Sequence, residues 1–136
     1  MRGFSKIPPQ LKWITLAAEQ GDAVAQYNLG TMYAKGEGVI QDYQTAAKWF
    51  RLAAEQGYAA AQFNLGGMYH QGEGVPTNYV YAYMWFNVSA SLGDKPSGER
   101  RDRLAKEMTP SQIEEAQDLA SECVEKKFKG CDRRKR

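Results

Sequence analysis

The sequence predicts an all-α fold: an α-α superhelix, or solenoid, of 36-residue helix hairpins that ends in a charged helical cap. The first observation is an internal repeat, because AAEQGDAVAQYNLG (residues 17–30) returns as AAEQGYAAAQFNLG (residues 53–66). In the same register, 21 of the 36 positions in residues 17–52 are identical in residues 53–88. The second observation is the helical spacing of the apolar residues in each copy. One hairpin cannot bury both of its apolar stripes, so the copies are expected to stack.

The first copy contains start and stop signals for two helices. Asp22 is placed to cap a helix that ends at about Lys35, and Gly36 stands where a left-handed residue would end it. Asp42 is placed to cap a second helix that runs to about Gln56. The apolar positions at helical spacing are Ala25, Leu29 and Tyr33 in the first helix and Ala46, Trp49, Phe50 and Ala53 in the second.

The second copy keeps this plan, with Asn78 at the capping position that Asp42 holds in the first. After Gly93 the repeat ends, and residues 96–108 predict a highly charged helix. The stretch TPSQ, which begins at Thr109, predicts a capping box at the start of a last helix with one apolar and one strongly polar face. Such a unit stops the stacking and keeps the end of a solenoid in water, so we interpret it as a C-terminal cap.

These boundaries describe one predicted domain over the whole chain. Its parts are a partial N-terminal repeat helix (11–21), two repeats (22–57 and 58–93), C-terminal capping helices (94–128) and a basic tail (129–136). The tail ends in RRKR (residues 133–136), and we expect this run to be solvated.

Three tryptophans, Trp13, Trp49 and Trp85, recur 36 residues apart. Because they follow the repeat, we expect all three to pack in the core or between repeats. Truncating any of them is expected to cost about 3 to 5 kcal/mol.

Composition and charge narrow the classes of function. The net charge is +2, and residues 1–92 hold only six basic and six acidic residues, so no basic patch predicts a nucleic-acid partner. The apolar runs fall far short of the roughly 20 residues that a membrane helix needs. The first ten residues, MRGFSKIPPQ, lack the apolar segment of a secretory signal. The bacterial cytoplasm and, if a signal peptide has been removed, the periplasm or the cell exterior both stay open.

The sequence resembles a known repeat family. Residues 25–57 fit the pattern A-x-x-x-L-G-x-M-Y-x-x-G-x-G-V-x-x-D-Y-x-x-A-x-x-W-F-x-x-A-A-x-x-G, which is similar to the Sel-one-like repeat, a relative of the tetratricopeptide repeat. Residues 61–93 fit it with two departures, Asn78 for Asp and Ser89 for Ala. The resemblance implies a right-handed superhelix that acts as a non-enzymatic scaffold and binds a protein or peptide partner.

The same resemblance implies an enzymatic alternative. Some cysteine-rich secreted members of the family are linked to penicillin binding and weak β-lactamase activity, and they carry a disulfide in each repeat. This chain has no cysteine in residues 22–93 and no serine in an S-x-x-K pattern. We therefore expect no acylation by a labelled β-lactam, the observation that separates the two alternatives.

Two other features of the sequence have residue types that occur in catalytic or ligand-binding sites. The G-E-G-V stretches at 36–39 and 72–75 follow predicted helices and lack the lysine or third glycine of a phosphate-binding loop, so we interpret them as turns. His70 is the one histidine, and no second imidazole is present to complete a triad or a common metal site. We expect no catalytic residues, no metal and no cofactor.

The two cysteines, Cys123 and Cys131, flank the expected end of the last helix. A chain that reverses there would bring the two sulfurs within bonding distance. Whether they form a disulfide depends on the redox compartment, so bonded and free thiols both stay open.

The candidate partner-binding surface is the concave face, which the first helix of each repeat lines in solenoids of this type. The candidate residues are Val24, Tyr27, Asn28, Thr31 and Lys35 in the first repeat and Ala60, Phe63, Asn64, Gly67 and Gln71 in the second. Aromatic rings give a peptide contact area and asparagine amides bond to its backbone, a role that tetratricopeptide relatives give to an asparagine on this helix. The alternative is that the asparagines form hydrogen bonds between repeats.

The N-terminal edge, from Pro8 to Trp13, is a second candidate surface. The helix of Trp13 lacks the preceding helix of its own hairpin, so its apolar face is expected to be uncovered. Self-association through this edge is therefore a hypothesis that light scattering tests.

Overall fold

The computed structural model describes residues 9–133, and every secondary-structure element in that range is an α-helix. The seven helices are α1 (Pro9–Glu19), α2 (Ala23–Lys35), α3 (Tyr43–Ala54), α4 (Ala59–Gln71), α5 (Tyr79–Ser91), α6 (Lys95–Ala105) and α7 (Pro110–Glu125). Helices α2 and α3 form one hairpin and α4 and α5 form the next. Each helix from α1 to α5 packs on the one that follows it, and α7 packs on α5 and not on α6. The predicted all-α solenoid is confirmed. No helix of the described residues has the length and apolar character needed to cross a bilayer.

The first hairpin begins and ends at the predicted signals. The Asp22 carboxylate accepts a hydrogen bond from the Ala25 amide at 2.9 Å, and Gly36 has the left-handed backbone (φ 71°) that ends α2. The Asp42 carboxylate accepts from the amides of Gln44 and Thr45 at the start of α3. Helix α3 ends at Ala54, two residues before the expected end.

The two helices of the second hairpin, α4 and α5, differ in their N-terminal caps. Asn78 accepts from the Tyr81 amide at 2.9 Å, as predicted for α5. Tyr58 stands at the capping position of α4 and makes no side-chain capping bond. The departure at Ser89 has a structural reason, because its buried hydroxyl donates to the Ala59 carbonyl at 2.8 Å and ties α5 to the start of α4.

One glycine in the first helix of each hairpin allows the two helices of that hairpin to approach closely. A Cβ on Gly30 would lie 2.8 Å from the Phe50 ring, and a Cβ on Gly66 would lie 2.8 Å from the Phe86 ring. Real side chains do not approach this closely, so the ring of the second helix takes the space of the missing side chain. The N-L-G stretch of each repeat thus fixes how the hairpin packs.

Buried glutamines connect one hairpin to the helix before it. The Gln26 amide donates to the Ala18 carbonyl at 3.1 Å, and the Gln62 amide donates to the Ala54 carbonyl at 3.0 Å. The side-chain amide of Gln56 donates a hydrogen bond to the side-chain oxygen of Gln26 at 2.9 Å. These bonds satisfy carbonyls at helix ends and hold the stacking register of the repeats.

The tryptophans do not share one environment. Trp85 is fully buried and Trp49 is half-buried, as expected, but Trp13 is 72% exposed. The prediction that all three are packed is therefore wrong for Trp13. The physical reason is that no helix among residues 9–133 covers the outer face of α1. Truncating Trp13 is accordingly not expected to cost the free energy of a core deletion.

Helices α6 and α7 pack on α5 and form the C-terminal cap. The capping box is present, because Thr109 accepts from the Gln112 amide and the Gln112 side chain accepts from the Thr109 amide. The predicted start of α7 is confirmed.

The residues after α7 turn back onto the first repeat. The chain turns back through Lys127 and Phe128, both with left-handed backbone (φ 55° and 72°), and residues 129–133 lie against the first repeat. Asp132 is buried and accepts from Arg51 at 2.9 Å and from the Tyr69 hydroxyl at 2.6 Å. Arg133, the first residue of the RRKR run, is exposed, and residues 134–136 lie outside the described residues.

Candidate functional site

A groove of ≈ 360 Å³ opens between the two hairpins and the start of the cap. Residues of α2, α3, α4 and α6 line it. Its lining residues are Thr31, Ala34, Lys35, Tyr43, Phe50, Phe63, Asn64, Gly67, Met68, Gln71, Glu73 and Arg100. This volume is at the small end of the range for ligand pockets, about 300 to 1,000 Å³. The groove therefore has room for a few side chains and not for a folded domain.

The groove brings together most of the predicted partner-binding residues. Those that line it are Thr31, Lys35, Phe63, Asn64, Gly67 and Gln71. Val24 and Asn28 are exposed outside its lining, and Ala60 does not line it. Tyr27 packs against the rings of Phe50 and Tyr58, with centroids 5.8 and 5.2 Å apart. That packing makes Tyr27 a contributor to the fold, so its substitution would not test binding alone.

The floor of the groove is aromatic and its wall carries an amide. Phe50 is buried and Phe63 is half-buried, with the Phe63 ring 5.8 Å from that of Phe86. The Asn64 side chain is half-buried and has no hydrogen-bond partner among residues 9–133. Gln26 and Gln62 supply the hydrogen bonds to the helix before each repeat, and neither Asn28 nor Asn64 adds one among residues 9–133. Asn64 thus presents a donor and an acceptor beside an apolar floor.

Arg100 of α6 was not among the predicted site residues. Its guanidinium lies 5.5 Å from the Phe63 ring centroid and 5.0 Å from that of Phe86, within the range of cation–π contact. Burial, together with repulsion from Arg103, lowers the pKa of Arg100 from its ordinary value. No carboxylate of residues 9–133 forms an ion pair with it. The sequence gives the charged run ERRDRLAKEM but no sign of which arginine reaches the groove.

The remaining candidates lie away from this groove. His70 has its Nε2 3.6 Å from Glu107 and its ring against Tyr79, at the outer end of α4. The Cys123 and Cys131 sulfurs are bonded in the structure, at the turn after α7. The part of the chain that the structure describes holds no cluster of three side chains suited to a metal ion.

Stacked helix hairpins with an open groove between repeats and a polar cap define a class of protein, the helical-repeat solenoids. The family model of the Sel1 repeat matches residues 11–22, 23–58 and 59–94. These matches cover more than half of the chain, and the chain belongs to the Sel1 repeat family. Proteins of this family are commonly non-enzymatic scaffolds for protein interactions.

Two solved structures show the same fold. One is a protective antigen present in uropathogenic Escherichia coli strains, which displays an SLR fold; it is 34% identical over 93% of this chain, with a TM-score of 0.83. This chain spans 28% of the length of that protein. The other is a Sel1 repeat protein from Oxalobacter formigenes, 36% identical, with a TM-score of 0.67 over 68% of this chain and 70% of the other. No match is found among curated proteins.

Proposed function

We propose that the protein is a non-enzymatic interaction module that binds an extended segment of a partner protein in the groove between its hairpins. The observation that carries the proposal is Asn64, whose half-buried amide has no partner in the described residues and stands beside Phe63. An extended peptide brings unpaired backbone donors and acceptors, which an amide side chain can satisfy. The rings of the floor supply contact area for a side chain of the same segment.

The charges of the groove favour a segment that carries an acidic residue. Lys35 and Arg100 supply two cations to the lining, and Glu73 supplies one anion. Arg100 is partly buried and has no ion-pair partner in residues 9–133. A ligand carboxylate would form charge-assisted hydrogen bonds with its guanidinium, and these would compensate for the water contacts that burial removes. Binding is therefore expected to weaken as salt increases, because part of it is electrostatic.

The test uses peptides selected on the wild-type protein from a displayed library of random sequences. We expect Asn64→Ala to weaken the selected peptides about fivefold, since it removes a hydrogen bond that the complex desolvates. Gly67→Met should abolish binding by filling the groove, and it should still fold because a Cβ at Gly67 meets only the Arg100 guanidinium, at 3.8 Å. Titration calorimetry gives the affinities, and circular dichroism checks the fold.

Asn28→Ala is the matched control, because Asn28 is the same residue one repeat earlier and does not line the groove. The selected peptides should bind this variant as they bind the wild type. Equal losses with Asn28→Ala and Asn64→Ala, or no loss with either, would contradict the groove as the binding site.

Self-association through the N-terminal edge stays a prediction. The exposed side chains of Trp13 and Leu16 on α1 support it. Light scattering across a concentration series tests it, and a molar mass that rises above that of one chain would support it.

A further inference from the structure

The tail of this chain occupies a cleft between the first repeat and α4. We call this the tail cleft and define it by Arg51, Glu55, Gly57 and Tyr69. The Asp132 carboxylate accepts hydrogen bonds there from Arg51 and from the Tyr69 hydroxyl. The Glu55 carboxylate accepts from the Arg133 guanidinium at 2.9 Å and from the Gly130 amide at 3.1 Å. The Phe128 ring covers Gly57, where a Cβ would lie 3.1 Å from it.

A hollow of ≈ 820 Å³ lies on α1, one repeat before the tail cleft. We call it the N-terminal hollow, and the lining residues that matter here are Trp13, Thr15, Leu16, Glu19 and Tyr33. Shifted by the 36-residue period, Glu19 and Tyr33 are the counterparts of Glu55 and Tyr69, and Thr15 is the counterpart of Arg51.

The N-terminal hollow keeps two of the three binding side chains of the tail cleft, Glu19 and Tyr33, without their ligand. Among residues 9–133, neither the Glu19 carboxylate nor the Tyr33 hydroxyl has a hydrogen-bond or ion-pair partner. Gly21, the counterpart of Gly57, has open space where Phe128 covers Gly57, since a Cβ there would meet nothing within 4 Å. The same repeat surface is therefore filled in one copy and open in the other.

We propose that the N-terminal hollow binds a turn-forming protein segment with an aromatic residue followed, five positions later, by a basic residue. In the tail, these are Phe128 and Arg133. The aromatic side chain fits the open space over Gly21, and the rest of the segment lies along α1 towards Trp13, which lines the hollow and is 72% exposed. The basic side chain pairs with Glu19 as Arg133 pairs with Glu55. This site is separate from the groove and does not depend on the proposed function.

One difference between the two sites determines the rest of the ligand. Thr15 replaces the arginine that binds Asp132, so an acid at the position before the basic residue has no guanidinium partner in the hollow. A neutral polar residue there can still bond to the Tyr33 hydroxyl. The preferred segment therefore carries no acid at that position, unlike the tail itself.

The probe is a labelled synthetic peptide of residues 126–133 with the C131S change, and its partner peptide also carries D132N. Both are titrated into the full chain by fluorescence anisotropy. We expect saturable binding of both peptides, with the D132N peptide binding at least as tightly. Glu19→Gln should weaken the binding of both peptides about two- to fivefold, which is the loss expected for an exposed ion pair. Trp13→Ala should weaken it about tenfold, as loss of an aromatic anchor does.

Two controls separate the hollow from other surfaces. Glu37→Gln and Leu92→Ala change exposed residues that do not line it, and they should leave peptide affinity unchanged. The tail cleft does not compete, because its own tail is tethered at a millimolar effective concentration. Loss of binding with Glu55→Gln but not with Glu19→Gln would assign the peptide to the tail cleft and overturn the proposal.

A gain of function gives the sharpest test. Thr15→Arg installs the missing guanidinium, and Arg51 at the same repeat position shows that the fold accommodates it. The variant should then prefer the Asp132 peptide over the D132N peptide by about tenfold, since it gains a charge-assisted hydrogen bond. A misfolded variant would not acquire this preference.

Three results would overturn the proposal. The first is that neither peptide binds the full chain saturably. The second is that neither Glu19→Gln nor Thr15→Arg changes the peptide affinity. The third is that the chain forms a concentration-dependent dimer that excludes the peptide. The last result would assign the hollow to a second copy of the chain.

Discussion

Single residues set the spacing of the helices in each hairpin. Gly66 lets the Phe86 ring touch the backbone of α4, whereas its neighbour Gly67 faces the open groove. The two glycines are adjacent in sequence and belong to the same helix, but the physical reason for a glycine differs. At Gly66 a side chain would collide with the core, and at Gly67 it would only narrow the groove.

Alanine at each position separates these two roles. Gly66→Ala is expected to lower the free energy of unfolding by about 1 to 3 kcal/mol, because its Cβ would overpack the core at Phe86. Gly67→Ala should raise it by about 0.5 to 1 kcal/mol, the helix-propensity gain at a site with room. Urea unfolding measures both values. A Gly66→Ala protein as stable as the wild type would contradict the close approach.

At the scale of the helix, the two hairpins use different caps for the same turn. Asp42 caps α3 and Asn78 caps α5. Hydrogen bonds from the Thr45 hydroxyl, and then from the Thr45 amide, lower the pKa of Asp42 below its ordinary value of 3.8. A lowered folded-state pKa means that the cap stabilises the folded state above about pH 3.8 and loses this contribution as the pH falls through the lowered value.

Acid should therefore loosen the start of α3 and spare the start of α5. We expect hydrogen-exchange protection of the Thr45 amide to fall as the pH drops below the Asp42 pKa, while protection of the Tyr81 amide, bonded to the neutral Asn78, stays constant. The protection factors are measured relative to the unfolded chain at each pH. Asp42→Asn is the control, since it should remove the difference between the two hairpins.

The helices were predictable because their signals are local. Asp22, Gly36 and Thr109 act within a few residues of the backbone groups that they bond, so spacing alone placed them. The contacts that complete the site and the fold are long-range. Arg100 reaches Phe63 from the cap, and Asp132 bonds to Arg51 from 81 residues away, and no local pattern in the sequence reports either contact.

The candidate groove was predictable to a similar extent and for the same reason. The repeat period placed Thr31, Phe63 and Asn64 on one face, where the structure finds the groove. It also placed Tyr27 there, because periodicity gives a direction but not the neighbours that fill it. The ring of Tyr58 comes from the start of the next repeat and covers Tyr27.

At the scale of the whole molecule, the tail joins the end of the cap to the first repeat. The link is the buried carboxylate of Asp132, which bonds to Arg51 and Tyr69. Burial, and then the charge of Asp132, raise the pKa of Tyr69 above its ordinary value, so the hydroxyl keeps its proton and donates to the carboxylate. A solenoid normally has contacts only between neighbours, and this link adds one that spans the array.

Removing the Asp132 charge should weaken the whole molecule. Asp132→Asn is expected to lower the free energy of unfolding by about 2 kcal/mol, since it breaks charge-assisted hydrogen bonds in a buried site. Arg133→Gln, which removes an ion pair whose arginine is more than half exposed, should cost less than about 1 kcal/mol. Chemical denaturation followed by circular dichroism measures both. Equal effects of the two substitutions would indicate that the tail is held by surface charge.

The most direct test of the account is the location of a bound peptide. A peptide selected on the wild-type protein is titrated into the isotope-labelled chain, and amide chemical shifts are followed by NMR. We predict that the perturbed amides cluster at Thr31, Asn64 and Gly67, which line the groove. Shifts confined to α7 or to the outer face of α5, with the groove amides unchanged, would contradict the claim that this solenoid recognises its partner between its hairpins.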